Sequence, residues 1–273
     1  MKRLLLTLLC LTSLSCAEPL TLEYASPDSG SLQIDIHLPA GGADSLYPVI
    51  LWIHGGGWKQ GSRENMNLVA WLNDHGYAIA SIDYRLTDIA PFPAQLDDCR
   101  AALKWVREKG SQYGLDPSRV IVSGLSAGAH LATLLAVSTP KETKPVQGVI
   151  HFYGPSDFIQ MSRYAREPTD PLNLPDSNVF MLLGGPLMDR LELAKEASPV
   201  TYLDAEDPPC LIFVGDKDSL MTQRQCARLH EAALTAGIAS ELHVIPGAGH
   251  GGKPFSDSTR QKLILNFLKT TLP

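Results

Sequence analysis

Cysteine is scarce in this chain, with 5 among 273 residues, and two of them, Cys10 and Cys16, sit near its start. The other three, Cys99, Cys210 and Cys226, are odd in number and lack metal-ligand spacing. That argues against a disulfide framework or a cysteine-based metal site. Cys210 and Cys226 are able to pair in an oxidising compartment, but Cys210 lies in an apolar, strand-like run, so buried free thiols are expected. None of the three sits in a turn beside a basic group, so no catalytic thiolate is expected. Basic residues are outnumbered, 23 against 29 acidic ones, and they form no cluster, which makes nucleic acid and anionic membranes poor partners. Past residue 17 no run approaches about 18 uninterrupted apolar residues, so no transmembrane segment is expected in the mature chain. Internal repeats and low-complexity linkers are also missing.

The composition is that of a soluble globular enzyme, 44% hydrophobic and 19% charged. A domain of this size buries enough surface to need no disulfide or metal staple. The first residues stand apart. Lys2 and Arg3 precede an apolar stretch from Leu4 to Leu14, and Ser15-Cys16-Ala17 then places small residues for cleavage after Ala17. This pattern reads as a secretory signal peptide over residues 1–17, followed by one exported domain over 18–273. A lipoprotein signal ending at Cys16 is the rival reading, which fits less well because Ser13 stands where such signals usually carry Leu. Removal of residues 1–17 takes the net charge from −6 to −8, since it removes Lys2 and Arg3 and no acidic group.

Alternating apolar positions from Leu20 to Leu38, split by Pro27-Asp28-Ser29-Gly30, predict an antiparallel hairpin. Val49-Ile50-Leu51-Trp52-Ile53 reads as a strand buried on both faces. Helix-like and strand-like segments then alternate: a helix at 66–75, a strand from Tyr77 to Ile82, a helix at 94–109, and a strand at Val120–Val122. A helix from Ala127 to Val137 and a strand from Val146 to Phe152 follow. Residues 155–208 break the pattern with many prolines and short helices, and strands and helices resume at Cys210. The expected fold is α/β: a mostly parallel twisted sheet of about eight strands, with an antiparallel N-terminal edge and helices on both faces.

Val120 to Gly128 spells a strand, then Gly-Leu-Ser-Ala-Gly, then a helix. That context makes Ser126 a candidate nucleophile at the apex of a sharp turn, where side chains at 124 and 128 would collide with neighbouring elements. Ser126 also opens a helix, whose dipole favours developing negative charge. His54-Gly55-Gly56-Gly57-Trp58 follows another buried strand. Consecutive glycines let backbone amides approach a substrate, so Gly56 and Gly57, with Ala127, are the expected oxyanion donors. His54 is expected to brace this loop. A serine needs a base of near-neutral pKa. The order nucleophile, acid, base in such folds confines the base to His130, His151, His230, His243 or His250, and of these only His250 occupies a loop just past a strand, in Pro246-Gly-Ala-Gly-His250. His130, one turn into the helix after the nucleophile, is expected to point away from the site. The acid should follow the strand at Cys210–Val214. Asp218 is preferred and Asp216 expected to shape the turn, but these residues alone leave both open.

Taken together, His54-Gly-Gly-Gly-Trp58, Asp83-Tyr-Arg-Leu86, Phe92-Pro-Ala94, Asp97-Asp98, Gly124-Leu-Ser-Ala-Gly-Ala-His-Leu-Ala132, Gly215-Asp-Lys-Asp218 and Gly247-Ala-Gly-His-Gly251 resemble the hormone-sensitive-lipase-like esterases. The likeness is strongest to the BD-FAE branch of the α/β-hydrolases and runs through most of the expected mature chain. It implies an α/β-hydrolase fold, no cofactor or metal, and Asp218 as the acid. It further implies hydrolysis of acetyl or other small-acyl esters, with small-molecule, carbohydrate or feruloyl esters as substrates. Leu125 departs from many hormone-sensitive-lipase relatives, which carry an acidic residue there. The large N-terminal cap of those lipases has no counterpart before the first strands, which argues against long-chain lipids. The insertion at 155–208 is expected to wall the pocket, with Trp58, Phe158, Met161 and Tyr164 as candidate lining residues. The same machinery would also serve an amidase, an arylformamidase or a small peptidase, and a catalytically dead binding protein is the rival from another class.

Overall fold

The computed structural model describes residues 18–139 and 146–272, so the expected leader at 1–17 lies outside the described residues. Eight strands form one sheet: β1 (Leu20–Ala25), β2 (Leu32–His37), β3 (Tyr47–Ile53), β4 (Ala78–Ile82), β5 (Leu115–Leu125), β6 (Gly148–Phe152), β7 (Cys210–Gly215) and β8 (Ser240–Ile245). The main helices are α1 (Ala94–Lys109), α2 (Ala127–Ser138), α6 (Leu220–Ala236) and α7 (Ser258–Thr271), with short α3 (Phe158–Ser162), α4 (Asn178–Leu183) and α5 (Leu191–Glu196) between β6 and β7. The strand order is β1-β2-β4-β3-β5-β6-β7-β8. β1 pairs antiparallel with β2, and β2 antiparallel with β4. All later pairings are parallel.

The apolar run read from the sequence explains the centre of the sheet. Val49 through Ile53 are fully buried, as are Ile121, Val122, Ile150 and Phe152 on the neighbouring strands. Each such side chain contributes roughly 1.5–3 kcal/mol by leaving water. Register then sets the position of the site. Ile53 lies opposite Gly124, Leu125 opposite Phe152, and Gly215 opposite Ile245. The carboxyl ends of β3, β5, β6, β7 and β8 therefore finish at one edge, where loops converge.

The segment 66–75 differs from the expected α-helix. It forms a 3-10 turn over Ala70–His75, closed by Gly76 at φ 85°. The Asn73 amide donates to the carbonyls of His37 and Tyr77, which pins the segment to β2 and β4 before an α-helix can develop. β5 is longer than its apolar centre, because residues outside that centre still pair along β3. Cys99, Cys210 and Cys226 are buried free thiols, and burial pushes Cys210 up to about 12. Among the described residues, no helix is long and apolar enough to cross a membrane.

Candidate active site

Ser126 sits between β5 and α2 at φ 53° and ψ −118°, a strained conformation for a residue with a side chain. Its amide is held by the Phe152 carbonyl at 2.8 Å. The flanking glycines are required by space. A Cβ at Gly124 would lie 2.5 Å from the Gly128 carbonyl group and 2.6 Å from the Ile53 oxygen, and one at Gly128 would overlap the carbonyl oxygens of Ile53 and His54. Helix α2 is thus pressed onto β3 at the turn, and Ser126 is thrust above the sheet edge.

His250 follows β8 and places Nε2 2.9 Å from Ser126 Oγ. Its Nδ1 lies 2.8 Å from Asp218 Oδ2, and Asp218 Oδ1 accepts the Ser219 amide at 2.6 Å. The imidazole side chain is 48% exposed while the carboxylate is 3% exposed, so a buried acid orients a base that still reaches the surface. A carboxylate acceptor at Nδ1 leaves the Nε2 lone pair for the serine proton. Asp216 is placed elsewhere: its Oδ1 accepts the Gly247 amide at 2.7 Å. It joins the loops after β7 and β8 and does not touch His250.

Opposite Ser126, His250 and Asp218, the loop after β3 turns through Gly56 at φ 106°, Gly57 at φ 61° and Trp58 at φ 60°. Among the described residues, the amides of Gly56, Gly57 and Ala127 have no acceptor, as donors awaiting an oxyanion would. His54 braces this loop as expected. Its Nδ1 lies 2.7 Å from the Gly55 carbonyl, and its ring stacks on Tyr84 at 4.3 Å. The Tyr84 hydroxyl donates to the His54 carbonyl at 3.1 Å. The neighbouring residues of the Asp-Tyr-Arg stretch are clamps: Asp83 takes the Arg63 guanidinium at 2.7 Å and Asp98 that of Arg85 at 2.7 Å. Leu125, the departure noted in the sequence, packs under this loop, where a Cβ on Gly55 would overlap it.

A cavity of about 330 Å³ opens on Ser126 and His250. Trp58 and Met161 line it as expected, with Leu172, Val179, Asn178 and Met221 completing the walls. Two expected lining residues are not there. Phe158 is 0% exposed and packs behind Trp58 and His130 at 6.0 and 5.2 Å; its apolar side chain is drawn into the core. Tyr164 is 47% exposed, and its hydroxyl accepts from Arg224 Nη1 at 2.6 Å, which holds it on the outer surface. The His130 amide donates to the Ser126 carbonyl at 3.1 Å, and its side chain does not turn away from the site as expected: its Nδ1 faces the Trp58 indole at 3.2 Å.

Besides the walls Leu172, Val179 and Met221, three more residues of the site escaped the sequence reading and bear on its geometry. Tyr153 follows β6 at φ 44° and sets its ring 4.7 Å from the His250 ring. Burial, reinforced by Asp218, pushes its hydroxyl pKa up. Gln225 reaches from α6 into the insertion and accepts the amides of Ser156 and Asp157 at 2.8 and 2.7 Å. Asn178 lies against Gly57. Nothing local in the sequence announces any of the three.

With this arrangement on hand, comparison with known proteins decides the lineage. The family model for BD-FAE matches residues 34–233. The chain belongs to the BD-FAE family. Esterase LipQ of Mycobacterium tuberculosis is 30% identical over 215 residues, covering 74% of this chain and 50% of that protein. The chain thus spans about half the length of that curated relative. Carboxylesterase NlhH of the same organism is 28% identical, covering 81% of this chain and 70% of that one. Among solved structures, a truncated carbohydrate esterase from gut microbiota superposes with a TM-score of 0.77 at 26% identity, covering 94% of this chain and 97% of that one.

Proposed function

We propose that this BD-FAE protein is an exported serine carboxylesterase that hydrolyses short-acyl esters through an acyl-enzyme. The carrying observation is the hydrogen-bonded series Ser126, His250, Asp218 facing three amides without acceptors. In the reaction, His250 Nε2 takes the Ser126 proton as Oγ attacks the ester carbonyl. The amides of Gly56, Gly57 and Ala127 hold the oxyanion. His250 returns the proton to the leaving alkoxide, the carbon–oxygen bond breaks, and the acyl group stays on Ser126. A water deprotonated by His250 then attacks the acyl-enzyme, and the carboxylic acid leaves as Ser126 recovers its proton.

The small cavity and its apolar walls favour an acetyl or similarly short acyl group. The gut relative, named a carbohydrate esterase, and the ethyl acetate hydrolase of Pseudomonas putida, 26% identical to this chain, support the same choice. The name of the gut relative makes a sugar hydroxyl the favoured leaving group. Hydrolysis of p-nitrophenyl esters of increasing chain length, with acetylated xylan and matched anilides alongside, tests this reading. Rates are expected to peak at acetate or propionate. Preference for anilides, or no turnover with any ester, would reject it. Export predicts a mature N-terminus near residue 18 in the periplasmic or extracellular fraction.

A further inference from the structure

We propose that His130 is a positioning residue that fixes Trp58, and with it the left-handed turn aiming the Gly56 and Gly57 amides, to the helix that starts at Ser126. This rests on the esterase reading, which supplies the purpose of that turn. The need for such a tie is visible in the backbone. Trp58, Ser126 and Tyr153 are the three non-glycine residues at positive φ among those described, and all three line the cavity. Such conformations persist only where surrounding structure holds them. The expected oxyanion donors also come from two separate segments, the loop after β3 and the start of α2, and must keep a fixed spacing to act together.

The chemistry of the tie is determined by its ends. An indole N–H only donates and a backbone carbonyl only accepts. Trp58 Nε1 lies 3.2 Å from His130 Nδ1, and His130 Nε2 lies 2.7 Å from the Ala197 carbonyl. His130 is therefore neutral with its proton on Nε2, accepting from Trp58 and donating to Ala197. The imidazole is fully buried and meets Trp58 and Phe158 edge-on at 5.3 and 5.2 Å, so it has no room to turn. Burial lowers its pKa to about 4, which keeps it neutral at ordinary working pH. One side chain thus joins the oxyanion loop, the nucleophile helix and the 155–208 insertion.

Two isosteres separate the ends of the tie. In His130→Asn, the amide oxygen stands near Nδ1 and still accepts from Trp58, but nothing reaches Ala197. In His130→Gln, the amide nitrogen reaches Ala197, but nothing accepts from Trp58. With p-nitrophenyl acetate, H130Q is expected to lower kcat about 10- to 100-fold with KM within about threefold, the signature of misplaced transition-state contacts. H130N is expected to recover about tenfold of that loss, and W58F to match H130Q, with the double variant W58F/H130Q no worse than either. Nitrogen-15 spectra should show the Nε2–H tautomer of His130. Equal kcat losses in H130N and H130Q, multiplicative losses in the double variant, or an Nδ1–H tautomer would overturn the proposal. Absence of hydrolysis by the native protein would sink the esterase reading alone, and the tautomer spectrum would still decide whether the tie exists.

Discussion

The two halves of this site differ in how closely their turns are packed. On the nucleophile side, β3, β5 and α2 meet so closely that Gly124 and Gly128 have no space for a methyl group. On the base side, Gly215 at the end of β7 is as tightly pressed, on the Ala248 carbonyl, but within the His250 loop Gly247 and Gly249 have nothing within 4 Å of a hypothetical Cβ, and β8 is only partly buried. The contrast follows from what each half does. Donors that stabilise a developing oxyanion are useful only if fixed before the charge appears. A base that collects and returns a proton works from a loop, provided its acid is anchored. Asp218 supplies the anchor, buried against the amide of Ser219.

The largest expected effect breaks both halves at once: S126A should lower kcat about 10⁶-fold and abolish fluorophosphonate labelling. Activity within tenfold of native would mean another nucleophile. D218N should lower kcat about 10⁴-fold by disturbing the imidazole tautomer. D216A removes the oxygen that accepts the Gly247 amide and should cost less than about tenfold in kcat, with stability lowered by roughly 0.5–1.5 kcal/mol; steady-state kinetics showing the reverse ranking would reassign the acid.

Stability measurements sharpen the comparison further. G128A should cost about 3 kcal/mol or more in urea unfolding, since its methyl group meets backbone that cannot retreat. Acid should weaken the nucleophile side through His130 and His151, both lowered to about 4 by burial. Above about pH 6.5 both histidines are neutral in either state and contribute no slope. Between about pH 6.5 and 4 the unfolded chain takes up protons that the folded chain refuses. Stability should therefore fall by roughly 1.4 kcal/mol per pH unit for each histidine, and a flat urea midpoint across that window would show that burial does not hold them neutral. G249A is the smallest effect, within about 0.5 kcal/mol; a large loss there would erase the contrast between the two sides.

Ser126, its flanking glycines and the glycine loop at 55–57 were legible because their requirements are local. A strand must reverse into a helix within a few residues, and only particular residue types permit it. His250 was reached by the chain order of nucleophile, acid and base and then by eliminating the later histidines inside strands and helices, since a loop position is also written locally. The alternation of apolar segments similarly implied a mostly parallel sheet. The expected helix at 66–75 failed because the Asn73 bonds to His37 and Tyr77 depend on distant strands.

By itself, then, the sequence determined which short segments meet at the candidate site and the class of sheet that gathers them, because backbone geometry and apolar periodicity act over a few residues. Tertiary structure alone decided that Asp218 faces His250 while Asp216 ties a turn, that Phe158 and Tyr164 leave the cavity, and that His130 binds Trp58 72 positions away. Those outcomes depend on register and packing between elements remote in the chain, where a shift of a few ångströms makes or breaks a hydrogen bond.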